Sequence, residues 1–128
     1  MPPPIRVVLV EDNDVFREAL ELLLGLRDDV EVVASVADGS DAAAVCARLR
    51  PDAVLMDYRM PGLNGAQATA AVLEASPGSQ VVCLTASISR NEREEIFAAG
   101  AYACVMKDDD LDEIFAAIHD AAAHASRE

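Results

Sequence analysis

Lysine is almost missing from this sequence. The 128 residues include one lysine, Lys107, against 23 acidic residues, and the formal net charge is −13 at pH 7. Proteins bind nucleic acids and anionic lipids through clustered lysine and arginine side chains. We therefore expect these residues neither to bind nucleic acid directly nor to associate with a membrane surface.

Other scarce features narrow the class of protein further. Tryptophan is absent, aromatic residues make up 4% of the chain, and its apolar runs are much shorter than the roughly 18 residues of a membrane span. The N-terminus lacks the basic and apolar regions of a signal peptide. The three cysteines, Cys46, Cys83 and Cys104, are an odd number in apolar surroundings, which predicts buried, reduced thiols in the cytoplasm rather than a disulfide framework.

What the chain does contain is a regular alternation of apolar segments. Short β-branched runs predict five strands, at Ile5–Val10, 30–37, Ala53–Met56, Gln80–Thr85 and 102–106. Helical periodicity follows each strand, at residues 15–26, 41–50, 66–75, 90–99 and 111–122. In the first helix the predicted buried face is Phe16, Ala19, Leu20, Leu23 and Leu26. At the start of the last helix the spacing of Asp110 and Glu113 predicts a capping box.

Five strand–helix units predict an α/β fold, a doubly wound five-stranded parallel sheet with helices on both faces. We expect one domain over residues 5–122. Residues 1–4 are expected to be a disordered N-terminus, and residues 123–128 a frayed helix end or the start of a linker.

Polar residues follow the predicted strands at the edge of the sheet where ligands bind in open α/β folds. Glu11 and Asp12 follow the first strand, Asp57 follows the third, Thr85 ends the fourth and Lys107 follows the fifth. Three neighbouring carboxylates repel one another unless a cation neutralises them, and their oxygen ligands suit partly hydrated Mg²⁺. Mg²⁺ beside a free carboxylate, an ammonium and a hydroxyl favours phosphoryl transfer, in which the carboxylate attacks phosphorus.

Separate blocks of the sequence resemble the receiver domain of two-component response regulators, over about residues 5–122. The blocks are Val8-Leu9-Val10-Glu11-Asp12, Leu55-Met56-Asp57-Tyr58-Arg59-Met60-Pro61-Gly62-Leu63-Asn64-Gly65, Leu84-Thr85-Ala86, Ala99-Gly100-Ala101 and Lys107. The resemblance implies a flavodoxin-like strand order of 2-1-3-4-5 and a cytoplasmic protein that catalyses only its own phosphorylation and autodephosphorylation.

The resemblance also implies the metal and phosphoryl ligands. Asp57 is the implied phosphoacceptor, which takes a phosphoryl group from the histidine of a sensor histidine kinase. Asp12 and Asp57 are the implied Mg²⁺ ligands, together with the backbone carbonyl of Arg59, while Glu11 acts through water. Lys107 is implied to pair with the phosphoryl oxygens.

The implied switch involves a further set of residues. Thr85 is expected to hydrogen-bond to the phosphorylated state, with the small Ala86 leaving room beside it. Many receivers have a switch aromatic three residues before the lysine, where this chain has Cys104. Strand alternation predicts that Tyr102 points the same way as Cys104, so Tyr102 is a candidate replacement, with a purely structural tyrosine as the alternative. Arg59 and Ser87 are expected to control the phosphoryl lifetime.

The output is expected to involve transcription. Asp108-Asp109-Asp110 follows Lys107, where many receivers have a proline, and this resembles the subfamily that carries a C-terminal helix-turn-helix DNA-binding domain. Family members often signal through the fourth helix, fifth strand and fifth helix by dimerising. A phosphorylation-dependent homodimer is therefore one expected output. The candidate interface residues, for which the alternative is an ordinary solvated helix surface, are Arg90, Arg93, Glu94, Tyr102, Asp112 and Glu113.

Three alternatives remain open from the sequence. Asp12-Asn13-Asp14-Val15 matches the nucleophile loop of haloacid-dehalogenase-type phosphatases, but that match leaves Asp57 unexplained. A flavodoxin-like electron carrier would meet a repulsive acidic loop where FMN phosphate binds. A degenerate receiver would act only as a binding module.

Overall fold

The computed structural model describes residues 3–125 of the chain, in which five strands and five helices alternate. The strands are β1 (Ile5–Val10), β2 (Val30–Val36), β3 (Ala53–Met56), β4 (Gln80–Thr85) and β5 (Ala103–Met106). The helices are α1 (Asp14–Gly25), α2 (Gly39–Leu49), α3 (Gly65–Ala75), α4 (Arg90–Ala98) and α5 (Leu111–Ala123). The predicted alternation is confirmed, and each end lies within two residues of its predicted position.

The strands form one parallel sheet in the order β2-β1-β3-β4-β5, which confirms the doubly wound, flavodoxin-like class. Val10 of β1 is in register with Met56 of β3, and Met56 with Cys83 of β4. Thr85 of β4 is in register with Met106 of β5. Because the registers align the strand ends, the residues that follow β1, β3, β4 and β5 share one edge of the sheet.

Both faces of the sheet are covered, which explains why β1, β3 and β4 are apolar without alternation. Leu9, Leu55 and Leu84 point to the face covered by α1 and α5. Val8, Val54 and Val81 point to the opposite face, in a cluster with residues of α2 and α3. A third cluster lies beneath α4 and is formed by Tyr58, Ala66, Cys83, Ile96 and Ala101.

Helix α1 buries only part of the predicted face, since Phe16 and Leu20 pack in the core cluster as predicted but the other three residues do not. Leu20 and Leu24 are its buried residues, whereas Ala19 is exposed and Leu26 is 75% exposed. Leu26 is the residue that caps the helix C-terminus, so the predicted face stops before it. An exposed apolar set remains on this helix, formed by Val15, Leu22 and Leu26, and we call it the α1 apolar stripe.

The capping box predicted for Asp110 and Glu113 is wrong. The Asp110 side chain makes no capping hydrogen bond, and the backbone amide of Glu113 donates instead to the Asp110 carbonyl. The neighbouring Asp109 carboxylate is turned back toward β5, where it accepts from the amide of Met106 at 2.8 Å. Capping boxes form instead at α3 and α4, where Asn64 pairs with Gln67 and Ser89 with Glu92.

The ends of the domain partly lie outside the described residues. Residues 1–2 and 126–128 of the predicted termini are among those not described, whereas α5 continues to Ala123. The boundaries of 5–122 therefore stay a proposal. Within residues 3–125 no helix has both the length and the apolar character to cross a membrane.

Candidate functional site

Backbone hydrogen bonds between neighbouring strands place the predicted site residues at one edge of the sheet. The amide of Asp57 donates to the Val10 carbonyl at 3.0 Å, and the amide of Lys107 donates to the Thr85 carbonyl at 2.9 Å. The amide of Glu11 donates to the Val36 carbonyl at 3.0 Å. These bonds extend the strand ladders by one residue, so the positions of the functional side chains follow from the sheet itself.

Glu11, Asp12 and Asp57 form the predicted carboxylate cluster. One oxygen of each lies within 4.8 Å of the others. Glu11 and Asp57 are buried, at 3% and 5% exposure, whereas Asp12 is exposed. A set of oxygen donors, part of it open to water, fits a hard and partly hydrated cation such as Mg²⁺.

Lys107 supplies positive charge to this cluster. Its Nζ lies 2.6 Å from Glu11 Oε1 and 3.3 Å from Asp57 Oδ2, and it also lies over the Phe16 ring at 4.5 Å from the centroid. Burial alone would lower the pKa of Lys107, but the hydrogen bond to Glu11 and the charge of Asp57 outweigh it and raise that pKa. Lys107 is therefore held as an ammonium group between two acids.

Glu11 occupies an unfavourable position for a charge. Burial raises its pKa, although hydrogen bonds from Lys107 and from the backbone amide of Asn13, at 3.0 Å, work in the opposite direction. The family resemblance implies that Glu11 acts through water. In the structure its direct partner is Lys107.

Thr85 is buried at the same edge but is directed toward the following loop. Its Oγ1 donates to the Ser87 carbonyl at 3.1 Å, and Ala86 and Ser87 are both exposed. The structure thus brings Glu11, Asp12, Asp57 and Lys107 into one cluster, with the Thr85 hydroxyl bonded beside it.

The loop after Asp57 connects the cluster to α4 through Arg59, which the resemblance had placed at the site, and through Tyr58. Their partners on α4, Glu92 and Glu95, were not predicted from the sequence. The amide of Arg59 approaches Asp57 Oδ1 at 3.4 Å, while its guanidinium donates to both oxygens of Glu92, at 3.0 and 2.7 Å. Nε of Arg59 also lies 3.3 Å from Ser87 Oγ. The Tyr58 hydroxyl donates to Glu95 Oε2 at 3.3 Å.

Gly65 is required where α3 begins, because the backbone after β3 passes against it. A Cβ atom there would lie 2.6 Å from Tyr58 Cα and 2.7 Å from the Asp57 carbonyl oxygen. The absence of a side chain at Gly65 therefore lets the backbone of Asp57, the phosphoacceptor candidate, pack closely against the start of α3.

The prediction that Tyr102 and Cys104 share a face is wrong. Tyr102 packs with the α1 and α5 cluster, and its hydroxyl lies 3.1 Å from His124 Nδ1. Cys104 packs on the other face, in the cluster beneath α4. The physical reason is that Tyr102 precedes the first residue of β5, so strand alternation does not apply to it.

A doubly wound sheet with acids and one lysine at its carboxyl edge is the arrangement of a phosphoryl-accepting signalling domain. The response regulator receiver domain family matches residues 7–119. The chain therefore belongs to the response regulator receiver domain family. It is a receiver domain of two-component signalling rather than a conventional enzyme, and neither the phosphatase nor the electron-carrier alternative is favoured.

Its relatives include whole transcriptional regulators. The transcriptional regulatory protein LnrK from Bacillus subtilis is 34% identical over 114 residues, which cover 89% of this chain and 52% of LnrK. The "Probable transcriptional regulatory protein NarL" from Mycobacterium tuberculosis is 35% identical over 121 residues, which cover 94% of this chain and 56% of NarL. The chain thus spans about half the length of the curated relatives it matches.

Solved receiver domains have the same fold. The signal receiver domain of NarL from Mycobacterium tuberculosis has a TM-score of 0.89 and 34% identity, and the match covers 95% of this chain and 98% of that chain. A LuxR-family response regulator from Aurantimonas has a TM-score of 0.87 and 30% identity, covering 94% of this chain and 86% of that chain.

Proposed function

We propose that Asp57 is the phosphoacceptor of this receiver domain. The observation that carries the proposal is the position of its carboxylate, which is 5% exposed and lies between Lys107 Nζ at 3.3 Å and the backbone amide of Arg59 at 3.4 Å. Two donors on one carboxylate orient it and would stabilise added negative charge beside it. Asp12 is exposed, which disfavours it as the nucleophile.

The proposed reaction is an in-line transfer from a phosphorylated histidine. A carboxylate oxygen of Asp57 attacks phosphorus, the P–O bond forms, and the P–N bond to the donor histidine breaks. Lys107 is already at the cluster and offsets charge on the phosphoryl oxygens. The Thr85 hydroxyl, which now donates to Ser87, would turn to a phosphoryl oxygen, and Ala86 offers no side chain to obstruct it. The same groups would support autodephosphorylation when water attacks.

Mg²⁺ is the cofactor that the cluster fits best. Asp12, Asp57 and the Arg59 carbonyl would hold it, with Glu11 acting through water. When bound, the ion supplies the positive charge that three carboxylates and a phosphoryl group together require. Glu11 and Lys107 would remain paired, so that Lys107 stays directed at Asp57.

We further propose that a cytoplasmic sensor histidine kinase is the phosphoryl donor and docks on the α1 apolar stripe. Helix α1 begins two residues after Asp12, so a donor histidine that reaches Asp57 must lie beside its first turns. Val15 is 79% exposed and Leu22 69% exposed, and such a stripe fits the apolar face of a partner helix.

The proposed output is transcription control through a domain outside this chain. The relatives named as transcriptional regulators are about twice as long as the match, which supports such a domain. Arg59 and Tyr58 join the site to Glu92 and Glu95 of α4, which supports α4, β5 and α5 as the responding face. A phosphorylation-dependent homodimer through that face is the proposed form of the response.

Intact-mass measurement tests the proposed function. Incubation with acetyl phosphate and Mg²⁺ should add one phosphoryl group to the wild type and none to Asp57→Asn. The matched control is Asp28→Asn, because Asp28 is exposed. Asp52→Asn would be a poorer control, because the Asp52 carboxylate accepts a hydrogen bond from the Arg6 amide. An unchanged wild-type mass would favour the degenerate receiver, and a phosphorylated Asp57→Asn variant would refute the assignment of Asp57.

A further inference from the structure

Cys83 and Cys104 lie opposite each other on adjacent strands. They are register partners in β4 and β5, so their side chains project to the same face of the sheet. Both belong to the apolar cluster beneath α4, so the two thiols are neighbours on that face of the sheet. This pair is not part of the carboxylate cluster or of its proposed chemistry.

The two thiols have different environments. Cys83 is fully buried, whereas Cys104 is partly exposed on β5, the edge strand of the sheet. Interaction with the neighbouring Cys83 thiol, with a further contribution from the charge of Arg93, lowers the pKa of Cys104 to about 7 despite its burial and despite Asp109 nearby. The same interaction, together with burial, raises the pKa of Cys83. Because Cys104 is the thiol that solvent reaches, it is the nucleophile, and the buried Cys83 is the resolving thiol.

We propose that Cys83 and Cys104 are a redox-active dithiol, a modification site that hydrogen peroxide converts into a disulfide between β4 and β5. Neighbouring strands are about 4.8 Å apart, and disulfides join Cα atoms about 4.4–6.8 Å apart, so the register already satisfies the main geometric requirement. Within residues 3–125 the strand β5 pairs with another strand on one side only, so it can adjust to bring the sulfurs into bonding distance.

The oxidation proceeds in two balanced steps. The Cys104 thiolate attacks a peroxide oxygen, the S–O bond forms, the O–O bond breaks, and the departing hydroxide takes a proton and leaves as water. Cys83 then attacks the sulfenic sulfur, the S–S bond forms, and the second oxygen leaves as water with the Cys83 proton. The two thiols lose two electrons and the peroxide gains them.

The position of the pair connects it to the site. Cys83 lies two residues before Thr85, and Cys104 three residues before Lys107. A disulfide would cross-link the two strands that carry these residues, and a thiol reductant would release them. Cys104 also occupies the position at which many receivers have their switch aromatic, so the modification lies on the predicted signalling face.

Peptide mapping of the wild-type protein tests the proposal without any variant. Trypsin places the three cysteines on three peptides, residues 28–48 with Cys46, 60–90 with Cys83 and 94–107 with Cys104. After peroxide treatment and alkylation of the remaining thiols, we expect peptides 60–90 and 94–107 to be joined in a monomeric protein. Peptide 28–48 should be alkylated, and dithiothreitol should separate the joined pair.

Variants provide the matched controls. Cys83→Ser and Cys104→Ser should each lose the joined peptide, and Cys46→Ser, which removes a buried thiol on α2, should keep it. The proposal is overturned if Cys83 and Cys104 are both alkylated after peroxide. It is equally overturned if Cys104 reaches the sulfinic or sulfonic acid while Cys83 stays free, or if disulfides form only between molecules.

Discussion

Replacing Lys107 with methionine removes the ammonium group that lies between Glu11 and Asp57 while keeping an unbranched side chain over Phe16. In the wild type the lysine nitrogen is 2.6 Å from Glu11 and 3.3 Å from Asp57. Both acids are buried, so water cannot fully hydrate their carboxylates once the lysine is removed. We expect Lys107→Met to be strongly destabilising in the absence of Mg²⁺.

The size of the effect follows from these distances. At an effective dielectric constant of about 20, the two contacts correspond to gross attractions of ~6 and ~5 kcal/mol. Most of this attraction is offset by desolvation, and breaking a buried pair by removing one partner costs about 3–5 kcal/mol. The site is open to water at Asp12, so we expect a loss of ~3 kcal/mol, or a melting temperature lower by roughly 10 °C.

The loss should depend on pH in one direction. The pKa of Glu11 is already raised by burial, and removing Lys107 raises it further because the lysine hydrogen bond opposed that shift. The folded variant therefore binds a proton more readily than the unfolded chain. Its deficit should be largest at neutral and alkaline pH and should shrink as the pH falls through the raised folded-state pKa of Glu11.

Thermal unfolding measured with and without Mg²⁺ tests the predicted destabilisation of Lys107→Met. Arg90→Met is the control, because it removes one positive charge from a side chain that is 92% exposed and is expected to be nearly neutral. Mg²⁺ should raise the melting temperature of Lys107→Met more than that of the wild type, since it replaces the missing charge. Identical melting temperatures for the two variants without Mg²⁺ would show that Lys107 does not stabilise the fold through Glu11 and Asp57.

Three further predictions concern other parts of the domain. Gly65→Ala should destabilise by about 1–3 kcal/mol in chemical denaturation, since its Cβ would collide with backbone, whereas Gly25→Ala, with nothing within 4 Å, should be nearly neutral. Tyr102→Ala should leave phosphorylation by acetyl phosphate unchanged, because Tyr102 contacts His124 rather than the site; a reduced rate would place it in the switch. Iodoacetamide should alkylate Cys104 roughly tenfold faster at about pH 8 than at about pH 6, with Cys46, whose pKa burial raises to about 12, staying unreactive; a rise of roughly a hundredfold is the behaviour of an ordinary thiol and would contradict the lowered pKa of Cys104.

The sheet and the location of the site could be predicted because the required signals are local. Continuous apolar runs bounded by turn residues predict buried parallel strands, and parallel strands bring their carboxyl ends to one edge. These two rules are sufficient to group Glu11, Asp57 and Lys107 at one site. The strand order, in contrast, came from the family resemblance.

Other features escaped prediction for identifiable reasons. The run Leu22-Leu23-Leu24 is apolar on all sides, so periodicity does not specify which leucine is buried on α1. Three consecutive aspartates before α5 offer several competing turn and cap hydrogen bonds, and Asp110 does not form the predicted one. The ion pair of Arg59 with Glu92 joins residues 33 positions apart, and no local sequence pattern predicts such a contact.

The phosphoacceptor itself can be identified by one measurement. Borohydride reduces an aspartyl phosphate to homoserine, and trypsin separates the two candidate aspartates, with Asp12 on peptide 7–17 and Asp57 on peptide 49–59. After treatment with acetyl phosphate and Mg²⁺, we expect homoserine at Asp57 and unmodified aspartate at Asp12. Homoserine at Asp12, or at neither residue, would contradict the account.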